Sequence, residues 1–187
     1  MFKPFKERVL TEEQIQELLE MEAPWVSSNV VEGSTESVYV DMVTHGTEHK
    51  NPSVNGSEIR HGKNKVITTA MIEDINEGFN HLWEKNGLKV VDTNYLRYEK
   101  GDHFHPHADN ETIIDAQGNH VQRAVTAVTM LDKSVDLKGG ILSVYQKGLC
   151  FKFNLEVGET AFFPSSNMHE CSRIRHGWRE VLVSWMA

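Results

Sequence analysis

Residues 139–164 read Gly-Gly-Ile-Leu-Ser-Val-Tyr-Gln-Lys-Gly-Leu-Cys-Phe-Lys-Phe-Asn-Leu-Glu-Val-Gly-Glu-Thr-Ala-Phe-Phe-Pro. Three short runs, Ile141–Val144, Cys150–Leu155 and Thr160–Pro164, are rich in β-branched and aromatic residues and are divided by Gly, Lys and Asn. That is the pattern of strands joined by turns. The same texture extends both ways, through Val90–Tyr98 and Val121–Leu131 before and Glu180–Trp185 after. No helical period interrupts it, so βαβ units are excluded and an antiparallel β-sandwich or jelly roll is expected from residue 88 onward.

The first 87 residues have a different texture. Thr11 and Gln14 form a capping box ahead of an apolar stripe at Ile15, Leu18 and Leu19, which predicts a helix ending near Ala23-Pro24. A second helix is predicted after Thr68-Thr69, where Ile72, Ile75, Phe79, Leu82 and Trp83 recur at three- and four-residue steps and Asn86-Gly87 closes the run. Ser37–Val43 alternates as a strand does. Thr44–Lys65 is polar, rich in Gly, Asn and Ser, and has no apolar period. A loop of that length is either a surface excursion or a lid over a site.

The chain has 187 residues, 39% of them hydrophobic, and a formal net charge of −8. One domain is expected: residues 1–87 as helical support with the lid loop 44–65, and 88–187 as the β-core. No run of about 18 apolar residues offers a membrane span, and the N-terminus has no apolar signal region, so a cytoplasmic protein is expected. Cys150 and Cys171 make no disulfide framework. The acidic balance argues against a protein built to grip nucleic-acid phosphates.

The chemistry-bearing stretch is Tyr98-Glu-Lys-Gly-Asp-His-Phe-His-Pro-His-Ala-Asp109. On an extended chain His107 and Asp109 point to one face. An imidazole and a carboxylate side by side can chelate a divalent metal, with His169 as the best third ligand. Two His and one carboxylate form the facial triad of non-haem iron(II) oxygenases. His-x-Asp alone is a weak signal, and His103, His105 and His107 share one parity. His105, His107 and Glu111 also imitate a cupin-type metal site, which leaves a non-catalytic binding module as an alternative.

On the last strand, Arg179 shares parity with Val181, Val183 and Trp185, so all four are expected to face inward. A guanidinium inside a barrel needs a carboxylate. It is either an internal Asp or Glu, or a dicarboxylate cosubstrate whose other end chelates the metal. Thr129 shares parity with Val125, Ala127 and Leu131 and is a candidate hydroxyl donor to the same carboxylate, or else a core Thr satisfied by backbone.

These pieces, in order, resemble the prolyl 4-hydroxylase-like branch of the iron(II)- and 2-oxoglutarate-dependent dioxygenases. The resemblance runs from about Asn94 to Trp185. It comprises Tyr98-x-x-Gly101-x-x-Phe104-x-x-His107-x-Asp109, the strand Arg123–Leu131, Gly139-Gly140-Ile-Leu-Ser-Val, Gly158–Phe163 leading to His169, and Gly177-Trp-Arg179. It implies a double-stranded β-helix fold. It implies iron at His107, Asp109 and His169, and 2-oxoglutarate held by Arg179 with Tyr98 and Thr129. It places Arg123 and Trp185 on the substrate side, and Arg60, from the basic cluster Lys50, Arg60, Lys63 and Lys65, is a further candidate there. The implied chemistry consumes O2 and 2-oxoglutarate, releases succinate and CO2, and hydroxylates an unactivated C–H bond, with ascorbate as a candidate reductant. A prolyl residue in a peptide or protein is the expected target, and a free amino acid or a nucleic-acid base the alternative. Arg179 follows His169 by ten residues, one more than in the hypoxia-sensing prolyl hydroxylases, so their substrate choice does not transfer.

Overall fold

The computed structural model describes residues 2–27, 30–31, 58–114 and 118–187; the side chains of 27, 30–31, 58–61 and 69 are not described. The elements in chain order are β1 (Phe5–Arg8), α1 (Glu12–Glu20), β2 (Trp25–Ser27), β3 (Val30–Val31), β4 (Glu58–His61), β5 (Lys63–Lys65), a 3-10 turn (Thr69–Ile72), α2 (Glu73–Trp83) and β6 (Val90–Tyr98). They continue with β7 (His103–His107), β8 (Thr112–Ile114), β9 (His120–Gln122), β10 (Val125–Lys133), β11 (Leu142–Gln146), β12 (Leu149–Phe153), β13 (Glu159–Pro164), β14 (His169–Cys171) and β15 (Arg179–Met186).

The strands form a seven-stranded sheet, β1-β13-β10-β15-β6-β5-β2, and a six-stranded sheet, β12-β11-β14-β7-β4-β3, with β8-β9 as a separate hairpin. The pairing is antiparallel throughout. This is the expected jelly roll. The chain crosses between sheets at Gly62, between β4 and β5, and again at the turn from β6 to β7.

β15 shows how the layers are sorted. Val181, Val183 and Trp185 pack with Leu96, Val128, Leu142 and Val144 in the core between the sheets. Leu182 and Met186 point the other way, into a second core with Ile15, Leu18, Ile75 and Phe79. The seven-stranded sheet is therefore buried on both faces, and α1 and α2 cover its outer side. Thr11 caps α1, with the Gln14 amide donating to its Oγ1 at 3.2 Å and the Gln14 side chain accepting from the Thr11 amide at 2.9 Å. Gly87 ends the second helical segment with φ +70, a left-handed cap that favours glycine.

Several boundaries differ from the sequence reading. Val121–Leu131 is two strands, because His120–Gln122 pairs with Thr112–Ile114 in its own hairpin and the chain breaks at Arg123-Ala124 before β10. The helix α1 ends at Glu20, three residues earlier than Ala23. Phe5–Arg8 adds an edge strand to β13, which the short run FKER does not announce. The expected loop 44–65 is shorter than read. Residues 58–61 and 63–65 are strands, paired to β3, β7, β2 and β6 although most of these residues are polar. The rest of that loop, 44–57, and the expected strand Ser37–Val43 lie outside the described residues. No described helix is long and apolar enough to cross a membrane.

Phe79, fully buried, meets the ring of Phe162 at 6.2 Å and joins α2 to the sheet. Phe79→Ala is expected to cost about 3–5 kcal/mol by urea unfolding, whereas Val135→Ala, on a fully exposed side chain, should stay within about 0.5 kcal/mol.

Candidate metal centre

Among the described residues one group of three His, Cys, Asp or Glu side chains converges: His107, Asp109 and His169, with ligand atoms within 4.8 Å of one another. His169 opens β14 and His107 closes β7, and the two strands pair at these residues. The register then slips, so that Cys171 faces Phe104 and not His105. This places one extra residue on β7, where Pro106 has no N–H to give a ladder. The bulge settles which histidine turns inward. Phe104 and His107 stack at 3.5 Å and line the interior cavity, while His105 and Pro106 are exposed. His103 is buried, with Nδ1 3.2 Å from the Gly101 carbonyl. Glu111 lies 3.8 Å from Arg123 and is not part of the group of three, so the cupin-type set is not assembled.

Each imidazole is held by its far nitrogen. His107 Nδ1 is 2.7 Å from the His105 carbonyl and His169 Nδ1 is 3.1 Å from the Asn167 carbonyl. A carbonyl only accepts, so both rings carry a proton on Nδ1 and turn Nε2, the nitrogen that would ligate a metal, toward Asp109. The Nε2 atoms stand 3.4 Å (His107) and 3.3 Å (His169) from the carboxylate oxygens. Asp109 follows β7 in a loop tied down by its amide, which donates to the Ser165 carbonyl at 2.8 Å. Its Oδ2 accepts from Thr126 Oγ1 at 3.0 Å and from Trp185 Nε1 at 2.9 Å. Burial pushes the Asp109 pKa up, but the facing His169 and His107 outweigh it and hold the carboxyl well below the usual range. Burial lowers His107; for His169, burial is outweighed by Asp109, which raises it.

The same cavity reaches Arg179, which is 3% exposed. Its Nη1 donates to the Gly140 carbonyl, its guanidinium stands 5.3 Å from the Tyr98 ring, and its Nε has no partner. A Cβ on Gly140, whose φ is +65, would sit 3.1 Å from Arg179 Cδ and 2.5 Å from Ile174 Cδ1, so the glycine admits the arginine. No carboxylate pairs with Arg179 among the described residues. Glu180, its neighbour, points to the opposite face and accepts from Tyr95 and Arg97. Tyr98 faces Arg179 across the β6–β15 ladder and lines the cavity.

Thr129 does not reach this site, contrary to the sequence reading. Val125, Ala127 and Leu131, which share its parity, belong to the core under the helices, and Thr129 Oγ1 bonds Thr160 Oγ1 at 2.8 Å. Strand β10 is buried on both faces, so apolar parity alone gave no direction. The face that turns inward carries Thr126, which the sequence reading passed over, together with Ser165, 2.9 Å from Thr126 Oγ1. Arg123 stacks 4.0 Å over Trp185 and is held by Asp92. Arg60 is in β4, opposite Phe104 in β7, and its side chain lies outside the description. A wider cavity of about 740 Å³ opens on the outer face of the large sheet, where Lys63 pairs with Glu99 and Arg97 with Glu180. It holds none of the converging ligands.

Residues 93–187, just over half of the chain, match the 2OG-Fe(II) oxygenase superfamily. This chain belongs to that family. A PKHD-type hydroxylase of Methylobacillus flagellatus is 25% identical over 184 residues, covering 95% of this chain and 74% of the relative. The crystal structure of a Pseudomonas putida prolyl-4-hydroxylase aligns with a TM-score of 0.59 at 17% identity, over 98% of this chain and 91% of that one. The 2-oxoglutarate complex of the viral collagen prolyl hydroxylase from Paramecium bursaria Chlorella virus-1 gives 0.60 at 13% identity, over 98% and 94%. The oxygenase uses Fe(II), 2-oxoglutarate and O2. The residues present fit that metal: two imidazoles and one carboxylate converge, each already oriented from behind.

Because Thr129 faces away from the cavity, Thr129→Val should leave the 2-oxoglutarate dissociation constant of the iron-loaded protein within about twofold of wild type. It should cost about 1 kcal/mol of unfolding free energy through the Thr160 hydroxyl left without its partner.

Proposed function

We propose that this oxygenase hydroxylates a prolyl residue in a peptide or protein, with His107, Asp109 and His169 holding Fe(II) and Arg179 receiving the distal carboxylate of 2-oxoglutarate. The observation that carries the site assignment is the single cavity with the converging triad at one end and a buried arginine without a carboxylate at the other. The prolyl assignment is supported by the prolyl hydroxylase fold and by relatives that are PKHD-type hydroxylases.

When bound, iron with 2-oxoglutarate and O2 supplies the oxidising power for insertion of one oxygen into a C–H bond, with succinate and CO2 released. The protein's part is binding and orientation. The Nδ1–H groups of His107 and His169 stay on backbone carbonyls, which keeps both Nε2 lone pairs available. Arg179 fixes the length of the cosubstrate by gripping its far end, and Tyr98 gives that end an aromatic wall. Leu96, Val128, Leu142, Val181 and Val183 make the rest of the cavity apolar and exclude water from the reacting centre. As the side chains stand the cavity holds about 40 Å³, little more than one water's share of the liquid. Seating a dicarboxylate therefore requires side chains to move, and the Arg179 contact to Gly140 is the one that a carboxylate would replace. We assign the substrate side to Arg123 and Trp185, which stack on one another beside Asp109.

The test is an array of proline-containing peptides incubated with the protein, Fe(II), 2-oxoglutarate, ascorbate and air. One peptide class should gain the mass of one oxygen atom on proline, with one succinate per hydroxylation, and His169→Ala should abolish both. Succinate formed without oxygen uptake into any proline peptide would contradict the prolyl assignment and leave the oxygenase chemistry standing.

A further inference from the structure

The two oxygens of Asp109 are not equivalent. Each faces one imidazole, Oδ1 that of His107 at 3.4 Å and Oδ2 that of His169 at 3.3 Å, but Oδ2 alone also accepts two hydrogen bonds, from the Thr126 hydroxyl at 3.0 Å and the Trp185 indole N–H at 2.9 Å. A carboxylate oxygen has two lone-pair sites, and these donors occupy both. Oδ1 has His107 Nε2 at 3.4 Å and receives no hydroxyl or N–H from outside the triad among the described residues. Asp109 lies beyond the end of β7 with no strand partner of its own. Its orientation is therefore set from outside its own strand. The two donors come from adjacent strands and are direct register partners, Thr126 on β10 and Trp185 on β15. Each is fixed in turn. Thr126 spends its proton on Asp109, so the 2.9 Å contact to Ser165 runs from the Ser165 hydroxyl to Thr126. The Ser165 carbonyl receives the Asp109 amide. The Trp185 ring is covered by Arg123 at 4.0 Å, and Asp92 clamps that guanidinium.

We propose that Thr126 and Trp185 are positioning residues that commit Asp109 Oδ2 to the protein and leave Oδ1 as the one oxygen offered to the metal. The inference rests on the reading of the triad as the metal site. Its consequence is a count of coordination positions. A facial triad of three single-atom ligands leaves three positions of an octahedral ion open, two for a chelating 2-oxo acid and one for O2. If Asp109 bound through both oxygens, one of those three would be lost. Thr126 and Trp185 thus protect the position that O2 needs, and they are specific to it, because Thr126→Val removes a hydroxyl at almost constant volume.

The test uses the full chain, freed of metal, with Mn(II) as the probe. Free Mn(II) is followed by electron paramagnetic resonance, and the carboxylate bands by infrared difference spectroscopy on metal addition. Thr126→Val should weaken Mn(II) binding about 10-fold or more, the range seen when partners of a metal's ligands are removed. It should also narrow the splitting between antisymmetric and symmetric carboxylate bands, the mark of two-oxygen ligation. Trp185→Phe should shift both readouts the same way, and Thr126→Ser, which keeps the hydroxyl, should restore both. Thermal unfolding of the metal-free variants separates these effects from loss of fold. Unchanged carboxylate bands in Thr126→Val, whatever the affinity, would overturn the proposal. His169→Ala tells that failure from failure of the metal reading: if His169→Ala binds Mn(II) like wild type, the triad is not the metal site and the inference falls with it.

Discussion

A carboxylate kept ionised inside a buried cavity is the constraint on which the rest of the site depends. Asp109 is 7% exposed, and its surroundings in the sheet-to-sheet core are largely aliphatic and aromatic. Burying such a charge unpaired is prohibitive. It is met here by two imidazoles, a hydroxyl and an indole N–H, drawn from β7, β10, β14 and β15. Those four strands belong to both sheets. The jelly roll is what allows residues far apart in sequence to face one another across a narrow interior. The cluster in turn ties the sheets together where the barrel is polar.

Arg179 poses the complementary problem at the other end. Its charge is buried and has only a carbonyl and an aromatic face for company. Leaving a guanidinium so placed is costly to stability, and a site that accepts a dicarboxylate converts that cost into affinity. The N-terminal helices make the arrangement possible without touching it. By covering the outer face of the large sheet they free its inner face from sole responsibility for the core, so that face can give up positions to Thr126, Arg179 and Trp185.

Much of this was legible in the sequence, for particular physical reasons. The strands from Val90 on are short, β-rich and separated by turn residues, and β15 has Arg179 in phase with Val181, Val183 and Trp185, so the inward arginine could be read directly. Residues 93–187 are also the part that matches the family. The choice among His103, His105 and His107 could not be read from parity, because a bulge at His105-Pro106 breaks it. Thr129 was misplaced because β10 is apolar on both faces and either phase looks buried. The mostly polar strands β4 and β5 gave no apolar pattern; ladder pairing with β7 and β6 places them in the sheets. Thr126 turns inward because it is the register partner of Trp185, a pairing that the folded sheet sets and that no pattern within β10 announces.

The central claim is that one cavity binds metal at the triad and, through it, a dicarboxylate reaching Arg179. The most direct measurement is an anaerobic titration of the metal-free protein with Fe(II) and then 2-oxoglutarate, watching for the weak visible charge-transfer band of the chelate. The account predicts the band in wild type and its loss in Asp109→Ala. In Arg179→Ala the band should appear only at about 30-fold higher 2-oxoglutarate or more, the equivalent of losing about 2 kcal/mol from a buried charge pair. A wild-type protein that takes up Fe(II) but shows no band, or an Arg179→Ala variant that titrates as wild type does, would contradict it.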